Sequence, residues 1–257
     1  VLTNYNVDRV STNTSYGLNL FSTASTTSRA ALSASAISDF NIGRFTFTCW
    51  LNVTGGTALA KKTIFSFKSG SGELAREMYL SGGHLYYESV YHHGGTTRCH
   101  VFKQYPDYEA DWDRGGWKHL ILTDNQSGTG FGTVELYLDN VSTGSVNYVS
   151  SSATGIGGCV SSNANLIESD GNIFFLNDTI DANSNPWQGG IDEITFWNNL
   201  NLNSSQRTEI YNSGTVAQIT SCYVTGSNLK AWYNFEDQKG NSGEVILDKT
   251  VNNNHLT

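Results

Sequence analysis

Proline and methionine are nearly absent: 257 residues include 2 prolines and 1 methionine. Charge is also sparse, at 15% against about 25% in a typical soluble domain. The 15 Lys and Arg residues form no cluster, and 23 acidic residues leave a net charge of −8 with a pI near 5.1. A nucleic-acid partner needs grouped cations to neutralise phosphates. An anionic membrane surface also selects basic segments. Neither partner is expected. No apolar run reaches the roughly 18 residues a spanning helix requires, so no membrane insertion is expected.

Cysteine is scarce as well. Cys49, Cys99, Cys159 and Cys222 are widely separated, and none belongs to a Cys-x-x-Cys pair. That spacing excludes a zinc ribbon or a dithiol redox motif. Buried free thiols and disulfides in any of three pairings both stay open. The first residues, Val1-Leu2-Thr3-Asn4, show neither Met nor a signal-peptide pattern, as in a processed or excised chain.

What the chain has is glycine, 26 residues of it, with abundant Ser, Thr and Asn and 12% aromatics. β-Branched and aromatic residues favour strands, and the polar residues favour turns between them. In Phe45-Thr46-Phe47-Thr48-Cys49-Trp50 the odd positions share one face and the even positions the other. Comparable strands are expected at 16–21, 63–67, 77–80, 84–90, 98–105, 117–124, 133–138, 172–176, 190–197 and 229–235. Gly55-Gly56, Gly82-Gly83, Gly94-Gly95, Gly115-Gly116 and Asp139-Asn140 supply turns. One short helix is expected over 204–212, capped by Asn203 with Gln206 completing a capping box and Gly214 ending it. The spacing fits an all-β sandwich or barrel, in a single domain over 1–257 with 1–15 as an extended lead-in. Six Asn-x-Ser/Thr sequons begin at Asn13, Asn52, Asn125, Asn140, Asn177 and Asn203, a weak sign of glycosylation.

Five segments occur in a characteristic order. They are Phe45–Trp50, Gly116-Trp117-Lys118-His119-Leu120-Ile121-Leu122-Thr123, Val134–Asn140, Gly189-Gly190-Ile191-Asp192-Glu193-Ile194-Thr195-Phe196-Trp197 with Leu202–Asn212, and Leu229–Asp237 followed by Asp248–Asn254. The set resembles the laminin-G-like jelly-roll of the concanavalin A-like lectin and glucanase superfamily, over residues 16–257, which implies an all-β, two-sheet antiparallel jelly-roll sandwich packed face to face. The family's opening motif is not intact around Tyr16–Phe21, so no calcium ligand carries over there. Asn140 replaces the hairpin glycine and tolerates the same left-handed geometry. The Asn-rich C-terminal third is also similar in style to copies in virion structural proteins.

The resemblance implies an adhesion or carbohydrate-binding module on a cell or virion surface, extracellular in location. Its partner would be a glycan or surface protein. A homo-oligomer or viral assembly role, such as a decoration or fibre subunit, is the alternative. The family also implies one structural calcium (Ca2+) on Asp192, with Asp248 as its companion acid. Hard oxygen ligands suit that ion, but Asp192 equally suits capping of turn amides.

The superfamily also hosts laminarinase-type glycoside hydrolases. On a strand, Glu109, Asp111 and Asp113 would share one face, as paired carboxyls in retaining hydrolysis require. The final acid is Asp, however, and the stretch abuts Pro106 and Gly115-Gly116, so no catalytic residue is expected. No EF-hand register fits the acids, and no Gly-x-Ser-x-Gly elbow is present. The expected ligand-binding residues are Tyr105, Tyr108, Asp111, Trp112 and Asp113, with His92 and His93 from a neighbouring loop. Aromatic faces stack on sugars, and carboxylates and amides bind sugar hydroxyls; a pocket needs few such groups. Trp50, Trp197 and Trp232 either line a concave sheet or form a second buried layer.

Overall fold

A computed structural model of the chain describes residues 5–6, 18–20, 30–32, 37–40, 44–52, 61–68, 74–81, 84–93, 97–105, 116–125, 133–147, 149–151, 172–175, 187, 189–214, 219, 226–236 and 245–256. Its strands are β1 (Tyr5–Asn6), β2 (Leu18–Leu20), β3 (Ala30–Ala31), β4 (Arg44–Asn52), β5 (Lys62–Lys68), β6 (Leu74–Ser81), β7 (His84–His93), β8 (Thr97–Tyr105), β9 (Trp117–Asn125), β10 (Thr133–Leu138), β11 (Val141–Asn147), β12 (Val149–Ser151), β13 (Asn172–Phe175), β14 (Gly189–Asn198) and β15 (Leu229–Tyr233). Two helices accompany them, α1 (Ile37–Phe40) and α2 (Ser204–Tyr211).

All pairings are antiparallel. The eight-stranded sheet runs β1-β2-β14-β4-β9-β10-β11, with β15 also on β14, and the seven-stranded sheet runs β12-β8-β7-β6-β5-β13-β3. β11 and β12, neighbours in the sequence, are the outermost strands of the two sheets. The expected two-sheet antiparallel sandwich is what the chain forms.

Alternation builds the interior. Phe45, Phe47, Cys49 and Leu51 of β4 face Phe65 and Phe67 of β5 and Tyr87 of β7 in one buried cluster. Phe47 and Phe65 meet across the sheets with ring centroids 4.8 Å apart, and Phe45 stacks on Phe196 at 5.0 Å. Such pairs add about 0.5–1.5 kcal/mol each beyond the burial of their area. Cys49 is a free thiol in this core, so pairings that involve it are ruled out. Burial holds that thiol protonated by raising its pKa.

The other face of the eight-stranded sheet carries a second cluster: Ile121, Tyr137, Trp197, Leu202, Ile210, Ile219, Leu229 and Trp232. Here α2 packs down through Ile210, which is 2% exposed. The capping box forms as expected, with the Gln206 N–H donating to Asn203 Oδ1 and the Asn203 N–H donating to Gln206 Oε1. The helix ends earlier than Gly214, at Asn212 with φ 46°. Asparagine reaches the left-handed region at low cost, so no glycine is needed.

Candidate functional site

Ser81, the last residue of β6, pairs with His84, the first of β7, and that pair sets the register of the hairpin. Leu80 pairs with Leu85, Tyr79 with Tyr86 and Glu77 with Glu88. Met78, Leu80, Leu85 and Tyr87 are buried against the sandwich core. The intervening side chains take the opposite, outer face. There Tyr79, His84, Tyr86 and Glu88 keep partial exposure.

These groups form a row that crosses the strands. The Tyr79 and Tyr86 rings are parallel within 13° and 5.1 Å apart. Lys61 places its Nζ 4.5 Å from the Tyr79 centroid and 2.7 Å from Glu77 Oε1. Thr63 on β5 donates its hydroxyl to the same carboxylate at 3.3 Å. His84 meets Tyr86 edge to face at 6.4 Å. Burial, with the charges of Glu88 and Glu77, pushes the Tyr79 hydroxyl up to about 12. It therefore stays a hydrogen-bond donor through neutral pH. The arrangement offers apolar ring surface, hydroxyls, a cation and carboxylates on one partly wet face.

The expected binding residues divide between the two ends of the β7–β8 hairpin. Tyr105 closes β8 in register with Leu85, next to the Gln104–Tyr86 pair. His92 pairs with Arg98 and His93 with Thr97, at the far end. Both histidines thus lie on a strand and not in a loop. Eight residues of extended chain separate Leu85 from His93, roughly 27 Å at 3.4 Å per residue. The strand ladder therefore does not group His92 and His93 with Tyr105. Tyr108, Glu109, Asp111, Trp112 and Asp113 lie outside the described residues. They follow Tyr105 in the sequence.

Tyr79, Tyr86 and His84 were absent from the sequence-derived set. The signal for them was present, because Gly82-Gly83 places positions 79 and 86 equally far from a two-residue turn.

The expected calcium acids are both engaged by protein donors. Asp248 accepts the backbone N–H groups of Trp232, Thr250 and Asn254 at 3.0, 2.9 and 2.8 Å, and the Thr250 hydroxyl at 2.7 Å. Asp192 accepts the Glu193 N–H at 2.8 Å. Among the described residues no group of three or more His, Cys, Asp or Glu is placed to hold a metal ion. Asp192 thus caps a backbone amide, the competing expectation for it, and Asp248 caps three.

The tryptophans resolve toward the second buried layer. Trp50 is 6%, Trp197 0% and Trp232 5% exposed. Trp50 packs on His119 at 4.8 Å and on Tyr211 of α2 at 6.1 Å. Burial lowers His119 to about 3, outweighing the pull of Asp139, so its ring is neutral.

No protein-family model matches the chain, and no curated protein matches it. Solved structures do. The enzymatically active domain of tailspike protein 2 from bacteriophage CBA120 aligns with TM-score 0.53 and 13% identity, over 91% of this chain and 32% of that chain. A structure of botulinum neurotoxin type C, described as entering cells through interaction with two ganglioside molecules, aligns with TM-score 0.50 and 10% identity, over 82% of this chain and 45% of that one. The CBM40 module of the Ruminococcus gnavus IT-sialidase aligns at TM-score 0.46 and 12% identity, over 74% of this chain and 92% of that chain. This chain spans less than half of the tailspike and neurotoxin chains. At these identities the likeness is one of fold, a β-sandwich.

Proposed function

We propose that this chain is a non-catalytic glycan-recognition module of an extracellular or virion surface. Its ligand lies across the outer face of the seven-stranded sheet. The observation that carries this reading is the Lys61–Tyr79–Tyr86–His84 row, which keeps partial exposure while the aromatic face of the other sheet is covered by α2. The expected residues Tyr108, Asp111, Trp112 and Asp113 carry the ring faces and acceptors that such a ligand would also use. The fold shared with the tailspike domain and the ganglioside-dependent neurotoxin supports this class of ligand.

The buried carboxyls do not favour catalysis. Asp192 and Glu193 are 1% and 6% exposed, out of reach of a substrate. A structural calcium at Asp192 and Asp248 is not needed by this reading, because Asp248 already receives four donors.

The test is a glycan-array screen of the purified chain with calcium and with EDTA. Saturable binding to a glycan class, equal in both conditions, supports the reading. Binding lost in EDTA would restore the calcium site. No binding to any glycan would favour a purely structural assembly role. Release of reducing ends from the bound glycan would favour a hydrolase.

A further inference from the structure

The tyrosine row on the outer face has carboxylates built into it. Glu77 and Glu88 stand directly opposite each other on β6 and β7. Directly opposed residues on one face have Cβ atoms about 4.5–5.5 Å apart, so the two carboxylates share one patch. Glu88 follows Tyr86 by two positions on β7 and flanks it on the same face. Both Tyr86 and Glu88 keep partial exposure.

The cation of the row is already engaged. Lys61 holds its Nζ 2.7 Å from Glu77 Oε1 and 4.5 Å from the Tyr79 ring centroid. β6 lies between β5 and β7, so Lys61 and Tyr86 approach the Tyr79 ring from opposite sides. Lys61 is thus a brace of the stack and not an anchor for an acidic ligand.

An anion brought to this row meets the carboxylates. The Tyr79 hydroxyl senses them: burial first, then the charges of Glu88 and Glu77, push it up to about 12. Charges that disfavour a phenolate there also disfavour a carboxylate or sulfate carried on a sugar. The net charge of −8 adds repulsion at longer range. A neutral sugar meets the opposite situation. Its hydroxyls donate, and a carboxylate acceptor makes those hydrogen bonds charge-assisted.

We propose, on the reading of the outer face as a glycan site, that this face takes uncharged glycans and rejects sialylated and sulfated ones, with Glu88 as the discriminating residue. Specificity between similar ligands commonly needs such a repulsive element. A unit negative charge about 6 Å from one carboxylate, at a partly wet surface, weakens binding roughly tenfold.

The test uses an array of neutral oligosaccharides, each beside its own sialylated and sulfated forms. The best neutral glycan and its sialylated form are then titrated into the wild type and Glu88→Gln. The neutral form should bind about tenfold more tightly, and the gap should narrow between about 0.05 M and about 1 M salt as the charges are screened. Glu88→Gln keeps a carbonyl acceptor and loses the charge, so it should shrink the gap about threefold or more. Charged forms that bind as well as their neutral parents overturn the selection and leave glycan recognition standing. So does a gap unchanged by salt, or unchanged in a folded Glu88→Gln. If Glu88→Gln fails to fold, the salt dependence of the wild type decides. Binding to no glycan overturns recognition itself, and the selection with it.

Discussion

Tyr87 on β7 donates its hydroxyl to Asp124 Oδ2 on β9 at 2.6 Å, through the interior between the two sheets. Arg76 on β6 brings its Nε within 3.7 Å of the same oxygen, and its guanidinium lies 4.4 Å from the Phe45 ring centroid. Arg76, Tyr87 and Asp124 are all fully buried. This polar bridge ties the faces of a sandwich whose other cross-sheet contacts are mostly apolar.

Breaking the bridge should cost more than any surface change. Tyr87→Phe removes one donor from a buried carboxylate and should destabilise by about 1–3 kcal/mol. Asp124→Ala leaves a buried guanidinium without this carboxylate and should cost about 3–5 kcal/mol. Urea unfolding measures both. A loss under 0.5 kcal/mol for Asp124→Ala would mean that the bridge does not hold the sheets.

Gly190 sits where no side chain fits. A Cβ there would lie 2.7 Å from Trp117 Cη2 and 3.2 Å from Asn52 Cβ. Gly190→Ala should push Trp117 aside and cost about 1–3 kcal/mol, the usual range for overpacking. A combined Gly190→Ala, Trp117→Ala variant should show clear non-additivity in the same unfolding measurement.

Two buried groups give the pH profile opposite slopes. His119 is held down to about 3, so the unfolded chain takes its proton first on acidification. Its contribution is present above about 6.5, the ordinary histidine value, and is lost as pH falls toward 3. Glu193, raised to about 8 from 4.5, contributes fully below 4.5, and that contribution is lost as pH rises to about 8. Each slope is about 1.4 kcal/mol per pH unit. They offset each other between 4.5 and 6.5, and Asp192, also raised by burial, adds to the loss as pH rises, so stability should be highest below about 6.5. Unfolding midpoints across pH check this, and His119→Asn should flatten the acid side alone. A maximum above pH 8 would contradict the Glu193 assignment.

Much of the fold was legible because most inner strands alternate cleanly. The 133–138 strand matches β10 end to end, and the Asp139-Asn140 turn has the expected left-handed residues, φ 49° and 64°. β11 was not foreseen: Val-Ser-Thr-Gly-Ser-Val-Asn is a polar edge strand with one neighbour, so no apolar periodicity marks it. In β15 plain alternation would put Leu229 on the same face as Ala231 and Tyr233. A register shift between Phe196 and Trp197 sends Leu229 to the second cluster instead. The Glu193 bulge likewise takes Asp192 out of the plain alternation with Ile194 and Phe196.

The candidate site was less legible, because it depends on pairing and not on local composition. Gln104 and Tyr86 are far apart in sequence yet pair across the β7–β8 ladder, whereas Tyr105 pairs with the core residue Leu85. His92 and His93 are closer to Tyr86 in the chain than Tyr105 is, and lie at the opposite end of the hairpin. Sequence proximity misled because a long hairpin separates near neighbours and joins distant ones.

The most direct test of the account is a titration of an array-selected glycan into the wild type, Tyr86→Ala and Val141→Ala, with unfolding curves for each. Tyr86 belongs to the proposed face, and Val141 is 68% exposed at the start of β11, in the other sheet. Loss of an aromatic anchor should weaken binding about tenfold or more in Tyr86→Ala, with stability little changed and Val141→Ala binding as wild type does. Equal affinity in all three proteins would contradict recognition on the outer face of the seven-stranded sheet.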